Sequence, residues 1–429
     1  MRQGSPWHNF VLKGYFVSFE NFAFHPQITA GISLAGYTTP TPIQNQTIQP
    51  VLDGRDVLGL AQTGTGKTAA FVLPILQHLI KGPRGKLRAL IIAPTRELAE
   101  QTHMVIGDLG RQTGLRSVTV YGGVSAVPQV RALRAGIDIV VACPGRLLDL
   151  MGQRQVDLSG INTLVLDEAD MMFDMGFLPS IRRILAALPP KRQNLLFSAT
   201  MPAEIRSLAM GLLDHPVTVE IGASRPVETV KHGIFPVEQE GKYKTLLAIL
   251  AKTGSGQVLV FTRTKHRAKN LARQLSSAGL SATSLQGNLS QNQRQIAMDG
   301  FRSGRVQVMV ATDIAARGID VSQISHVINF DMPDTADAYT HRIGRTGRMS
   351  RLGTAFTLAT QDDLPMIRSI ERLLSYPLKR MNVDITDEKP AAAGSPELIP
   401  TYPRRPKLAE ERPARTERRS YFASGRRNG

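Results

Sequence analysis

The chain has 429 residues and a formal charge of +17, from 52 Lys and Arg against 35 Asp and Glu, with 42% hydrophobic and 20% charged residues. That composition excludes a mostly disordered chain, and no apolar run reaches the ~18 residues of a membrane span. The single cysteine excludes an internal disulfide framework and any multi-cysteine metal site and suits a reducing, cytoplasmic setting; the basic excess points to a polyanionic partner, nucleic acid first.

Residues 1–18 read as an N-terminal extension without the sustained apolar stretch or cleavage site of a secretory signal. KGYFVSF (13–19) nearly matches an RRM signature, but it lacks the small residue that sets the aromatic register. From residue 19 to 222, short and almost wholly apolar runs recur at 56–61, 87–94, 117–123, 137–143, 162–170, 193–200 and 216–221. Strands buried on both faces of a parallel sheet have this pattern. Helix-like stretches such as EIRSLAMGLL (204–213) lie between them, which predicts a doubly wound α/β domain. Residues 223–229 read as a linker. A second α/β series, 230–375, has runs at 230–237, 257–262, 280–285, 305–312, 325–330 and 353–360. Residues 376–429 read as a basic, low-complexity tail. From Lys389 onward it carries ten Lys and Arg against four Asp and Glu, and is expected to have no fold of its own. Arginine clusters attract phosphate without a fold, so the tail is expected to be an auxiliary arm for nucleic acid.

Ala61-Gln62-Thr63-Gly64-Thr65-Gly66-Lys67-Thr68 follows a predicted strand and opens a helix-like AAFVLPILQHLI, the setting of a phosphate loop. Its glycines turn backbone N–H groups toward phosphate, and the helix N-terminus adds positive potential. Lys67 is expected on the β- and γ-phosphates and the Thr68 hydroxyl on Mg²⁺. One hundred residues on, Asp167-Glu168-Ala169-Asp170 ends an apolar strand, where carboxylates face the ligand crevice of an open α/β sheet. Asp167 is a candidate Mg²⁺ ligand and Glu168 a candidate base for the attacking water.

Together with Lys67, Thr68 and Asp167–Asp170, the chain carries in order GYTTPTPIQ (36–44), PTRELA (94–99), Gly122-Gly123, CPGR (143–146), SAT (198–200), VFTRTK (260–265), QGNLSQNQR (286–294), ATDIAARGID (311–320) and HRIGRTGR (341–348). This series resembles the DEAD-box family of ATP-dependent RNA helicases over about residues 19–375, with most similarity to its bacterial RhlE-like members. The resemblance implies two tandem RecA-like domains, ATP and Mg²⁺ as cofactors, and RNA as partner. Ribosomal precursors and RNA-decay complexes are the settings such a protein would serve. It further implies adenine stacking by an aromatic 17 residues before Gly36, which is Phe19. Tyr37 stands where the family often has Phe, and Gln44 offers a donor and an acceptor to the base edge. The alternative for Phe19 is a core phenylalanine, since Phe22 and Phe24 are close rivals for the aromatic position.

Arg345 and Arg348 resemble the family's arginine fingers, and Gly318 and Asp320 its ribose contacts. Ser198 and Thr200 match residues that bond the DEAD carboxylates, Asp170 here, and couple hydrolysis to strand separation; helix capping is the plainer alternative. The implied RNA track comprises Pro94, Thr95, Arg96, Gly122, Gly123, Pro144, Gly145 and Arg146 in the first domain, and Thr262, Arg263, Gly287 and Thr312 in the second. Contacts of this kind hold the sugar–phosphate chain and so are largely sequence-independent. Cys143 replaces the family's usual Thr, and Gln286 its common His. The resemblance implies local separation of short duplexes. An ATP-gated RNA clamp or annealing factor shares the same motifs, while a processive DNA translocase fits the Q motif and DEAD tetrapeptide poorly.

Overall fold

The computed structural model describes residues 18–62, 64–221, 230–254, 256–316, 324–347 and 353–382. Thr63, Gly318, Asp320, Arg348, the linker and all of the tail from 383 onward lie outside them. Among the described residues, two seven-stranded, wholly parallel sheets form. The first contains β1 (Val57–Leu60), β2 (Ala89–Ile92), β3 (Ser117–Val120), β4 (Ile139–Ala142), β5 (Thr163–Leu166), β6 (Gln193–Ser198) and β7 (Val217–Glu220), in spatial order β3-β4-β2-β5-β6-β1-β7. The second contains β8 (Val230–Pro236), β9 (Gln257–Phe261), β10 (Ala282–Leu285), β11 (Val308–Ala311), β12 (Ile324–Asn329), β13 (Gly353–Ala359) and β14 (Lys379–Arg380), ordered β10-β11-β9-β12-β13-β8-β14.

Every apolar run expected to be a strand is one, and the central strands are covered on both faces by helices. On β2, Ala89 and Ile91 enter one core layer while Leu90 and Ile92 enter the layer across the sheet. On β9, Leu259 and Phe261 face one layer and Val258 and Val260 the other. This is the two-residue alternation of a pleat, filled on both sides. The expected helices at 204–213 and 266–279 form as Ala203–Leu212 and Lys265–Ser277. Gly279 follows the latter at φ +89°, the left-handed conformation in which a glycine closes a helix.

One boundary needs correction. The second domain does not end at residue 375: Leu378 is buried, and β14 pairs with β8 at Lys379↔Gly233 and Arg380↔Ile234. Both β14 residues are exposed and basic, so the strand has no apolar signature to read.

Strand order positions the chemistry. β6 lies between β5 and β1, so the loop after β6 is adjacent both to the DEAD residues and to the phosphate loop. Ala61 N–H donates to the Ser198 carbonyl (3.0 Å), and Asp167 N–H to that of Ile92 (3.0 Å). All these segments leave the carboxyl edge of the first sheet, the binding edge of doubly wound folds.

Candidate functional site

The phosphate loop turns at Gly64 (φ +87°) and at Gly66 (φ +95°), the residue preceding helix Lys67–Ile80. A Cβ on Gly66 would lie 2.6 Å from Nε2 of Gln44 and 2.9 Å from Oγ1 of Thr41, so this glycine is required both by its backbone and by the Q-motif side chains against it. Lys67 is buried, and its Nζ donates to the Ala61 carbonyl (2.9 Å). Thr65 Oγ1 donates to the Gln62 carbonyl (2.8 Å), and Thr68 is half-buried.

The Q motif is joined to this loop. Gln44 Nε2 donates to the Gly66 carbonyl (3.1 Å), and its Oε1 accepts from Thr41 N–H (2.9 Å). Both ends of the amide expected at the adenine edge are therefore held by protein. Phe19 is only 7% exposed and sits in the core cluster with Phe22 and Phe24, its ring edge-on to half-buried Tyr37 at 6.2 Å between centroids.

The DEAD carboxylates are all buried. Glu168 takes φ +54°, ψ +56°, a left-handed conformation that costs a non-glycine residue on the order of 1–3 kcal/mol and redirects the chain into helix Ala169–Asp174. Asp167 is 4% exposed, and its Oδ1 has no hydrogen-bond partner. Burial pushes this carboxyl up to about 7; Lys67 opposes the shift, and the neighbouring carboxylates Glu168 and Asp170 add to it. A buried oxygen without a donor is a costly arrangement that a cation relieves. Among the described residues no three His, Cys, Asp or Glu side chains converge as a metal cage. A divalent ion here would therefore share its ligands with phosphate oxygens, as Mg²⁺ commonly does.

Asp170 is saturated instead. Its Oδ2 accepts from Thr200 N–H (2.9 Å), Thr200 Oγ1 (3.0 Å) and Ala199 N–H (3.1 Å), and its Oδ1 from Met171 N–H (3.0 Å). Ser198 Oγ accepts from Asp170 N–H (3.2 Å) and donates to the Thr200 carbonyl (2.7 Å). Ser198 and Thr200 thus bind the DEAD segment and do not cap the helix that follows, whose first flanking residue is Pro202.

A row of loops continues along the same edge. Pro94 and Thr95 are buried, and Thr95 caps helix Arg96–Leu109. Arg96 lies over the Tyr121 ring (5.8 Å to its centroid) and beside Gly123 (φ +77°), where a Cβ would come within 2.0 Å of the guanidinium. Arg146 donates to the Val124 carbonyl (3.0 Å), which fixes it to the loop after Gly122-Gly123; Pro144 is buried and Gly145 exposed. Burial pushes the half-buried Cys143 thiol up to about 12, with Glu97 next in effect. In the second sheet, Thr262 is buried while Arg263 and Gly287 are exposed; half-buried Thr312 follows β11, and buried Gln286 accepts from Asn288 N–H (2.7 Å).

The two lobes meet through residues that lie inside two of the motifs, PTRELA and QGNLSQNQR, in a pairing the motifs themselves do not reveal. Glu97 accepts from Nη2 and Nε of Arg294 at 2.6 and 2.9 Å, with side-chain exposures of 11% and 13%. Arg96 donates to Gln291 Oε1 at 2.6 Å. Gln291 and Arg294 lie one helical turn apart at the start of helix Gln291–Arg302, which Ser290 and Gln293 close with a capping box. The second lobe also buries Arg345 and, three residues earlier, Arg342. Arg342 makes two bonds to Asp313 (2.6 and 2.7 Å) and lies 5.0 Å from the centroid of Phe261, so it is a structural anchor.

A phosphate loop, a carboxylate pair at the end of a strand one removed in the same sheet and a buried arginine on a second RecA-like lobe define a two-lobed nucleoside-triphosphatase. A DEAD/DEAH box helicase model matches residues 41–208 and a helicase conserved C-terminal domain model residues 241–350. The DEAD-box ATP-dependent RNA helicase CshA of Bacillus subtilis is 40% identical over 373 residues, which is 87% of this chain and 75% of that protein. The RNA helicase CrhR of Synechocystis is 43% identical over 346 residues, 80% of this chain and 70% of that one. Among solved structures, Saccharomyces cerevisiae Dbp5 bound to RNA and ADP BeF3 matches with a TM-score of 0.75 at 30% identity, covering 85% of this chain and 95% of that chain. A DEAD box protein from Methanococcus jannaschii gives 0.51 at 33% identity over 86% and 99%. The chain belongs to the DEAD-box family of ATP-dependent RNA helicases, and its activity is RNA-stimulated ATP hydrolysis coupled to RNA remodelling.

Proposed function

We propose that the chain separates short RNA duplexes locally, without processive travel, by closing its two lobes on one ATP and one RNA strand. The observation that carries this reading is the junction of Arg96 and Glu97 with Gln291 and Arg294, because it ties a loop of the RNA track to the opposite lobe. The likeness to Dbp5 bound to RNA and ADP BeF3 supports a closed arrangement.

In this reading ATP enters the first lobe. Gln44 exchanges its hold on the Gly66 carbonyl for the adenine edge, beside Phe19 and Tyr37, so base recognition also releases the phosphate loop. Lys67 leaves Ala61 for the β- and γ-phosphates. Thr68 and the partnerless oxygen of Asp167 hold Mg²⁺, which when bound neutralises charge on the phosphates. Glu168 takes the proton of the attacking water, and Arg345 with Arg348 stabilises the charge that develops on the transferred phosphoryl group. Gly318 and Asp320 hold the ribose. Asp170, Ser198 and Thr200 carry the change at the phosphate into the loop after β6. RNA runs over Pro94–Arg96, Gly122-Gly123 and Pro144–Arg146, and on over Thr262-Arg263, Gly287 and Thr312, with the tail as an auxiliary arm. A cytoplasmic setting in ribosomal-precursor or RNA-decay complexes completes the proposal.

Strand displacement tests it. With ATP, a tailed duplex of about one helical turn should separate and a much longer one should not. ATP-dependent retention of single strands without displacement would make the protein a clamp or annealer instead.

A further inference from the structure

Helix Lys265–Ser277 follows directly from the Thr262-Arg263 loop and carries a charge pattern that neither the family motifs nor the reading above uses. Its apolar stripe, Ala268, Leu271, Ala272 and Leu275, is buried in one core layer with Val258 and Val308. The rest of its sequence, KHRAKNLARQLSS, holds four Lys and Arg, one His and no Asp or Glu. Lys265, Lys269 and Arg273 recur at intervals of four along it, so they form one row, with His266 alongside. All four side chains are exposed, and among the described residues none of them makes an ion pair. Arg267 differs: it is half-buried and pairs with Asp331 at 3.0 Å.

The fold does not call for this charge. Lys265, His266 and Arg267 occupy the first helical turn, where the macrodipole is already positive and favours carboxylates. Thr264 starts the helix, its Oγ1 accepting from Arg267 N–H (3.2 Å), so the start does not depend on the cations. The row also joins the RNA track. Lys265 Nζ donates to Asn288 Oδ1 (3.1 Å), in the loop of Gly287 that follows the edge strand β10. At about 1.5 Å of rise per residue, Lys269 and Arg273 lie about 6 and 12 Å beyond Lys265 along the axis. A ladder of cations thus leads off the track down the β10 flank of the second lobe. The groove along the other side of the helix is lined by Glu240 together with Tyr243 and Arg267, so a polyanion is better matched by the outer row.

We propose that Lys265, Lys269 and Arg273 form a second contact zone for single-stranded RNA, which holds the phosphates of the strand after it leaves the track at Arg263 and Gly287. Long basic side chains on a helix offer charge to phosphates and no fixed pattern to base edges, so this zone is sequence-independent and sensitive to salt. It lengthens the footprint on RNA without touching the nucleotide site. The inference rests on the track role given to Arg263 and Gly287 above, and the test separates the two.

The test compares full-length wild type with three variants: Lys269→Gln combined with Arg273→Gln, Arg263→Gln, and a charge-matched control, Arg182→Gln combined with Arg183→Gln, at exposed positions of the first lobe. Two oligouridylates are used, the shortest that fully stimulates ATP turnover and one several nucleotides longer. Their binding in the presence of ADP and beryllium fluoride is followed by fluorescence anisotropy over a range of KCl concentrations. The Lys269/Arg273 variant should bind the longer strand about tenfold more weakly, with a log–log salt slope smaller by about 1.4 (about 0.7 for each lost contact to a single strand), and should keep short-strand affinity and stimulated turnover within about twofold of wild type. Arg263→Gln should weaken both strands; unchanged binding there overturns the track reading and, with it, the placing of this zone along the same strand. A loss equal for the two strands, or matched by the Arg182/Arg183 control, would assign the effect to the net charge of the protein and overturn the second zone alone. Unchanged affinity and salt slope for the longer strand would overturn it too, and is the result expected if the row faces an acidic protein or only solvent.

Discussion

Glu97 and Arg294 are 197 residues apart in sequence, yet their side chains meet at 2.6 Å across the two lobes, nine-tenths shielded from water. A pair this buried is insensitive to moderate salt, and breaking it from one side costs about 3–5 kcal/mol because a charge is left without its partner. Glu97→Gln and Arg294→Met should each depress RNA-stimulated ATPase by at least about tenfold, and the exchange Glu97→Arg with Arg294→Glu should restore part of it. Nucleotide binding to the first lobe should not change. Steady-state kinetics with a double-mutant cycle checks this, and purely additive effects would show that the pair does not act in closure.

Gly123 tests the neighbouring contact. Alanine there meets both an unfavourable φ of +77° and the Arg96 guanidinium at 2.0 Å, so Arg96 must leave Gln291. Gly123→Ala should weaken RNA binding in the presence of ATP several-fold more than in its absence, as read by fluorescence anisotropy.

Thr200→Ala removes one of the bonds that hold Asp170 to the loop after β6 and leaves the two backbone donors in place. The expected cost to stability is about 1–2 kcal/mol. If this loop transmits the state of the phosphate, duplex separation should fall by at least about tenfold while RNA-stimulated ATPase stays within about threefold. Parallel unwinding and hydrolysis assays check it; equal losses in both would show that the loop only supports the hydrolytic site.

Asp167 carries a pH prediction. Its folded-state pKa is raised from 3.8 to about 7, so burying the charged form destabilises the nucleotide-free protein. The penalty is absent below pH 3.8, grows as pH rises toward about 7 and is complete above it. Between about pH 5 and 7.5, acidification should therefore raise the thermal midpoint of wild type relative to Asp167→Asn. Saturating Mg²⁺ and ATP should erase the difference. Paired melting curves decide it, and parallel pH profiles for the two proteins would contradict the assignment.

How much of this was legible in sequence depended on whether the signal was local. The sheets were, since strands such as Ala89–Ile92 are apolar at every position when helices cover both faces. β14 was not, because Lys379 and Arg380 pair through their backbones and leave their side chains exposed. The phosphate loop and the DEAD segment announce themselves by residue type and position at strand ends. Pairings such as Glu97–Arg294 and Asp331–Arg263 are set by the packing of distant elements and carry no periodicity. Arg342 sits in a motif rich in arginine, and only its burial against Asp313 distinguishes an anchor from a phosphate contact. The burial of Phe19 was equally invisible, since an aromatic that stacks on a base and one that fills a core look alike in sequence.

At the centre of the account is hydrolysis performed by one lobe with an arginine supplied by the other. The most direct measurement is ATP turnover by Arg345→Ala at saturating RNA, beside its affinity for a fluorescent ATP analogue. Turnover should fall by about 10³-fold or more, the usual worth of such an arginine, with nucleotide affinity close to wild type. RNA-stimulated turnover within a few-fold of wild type would contradict it.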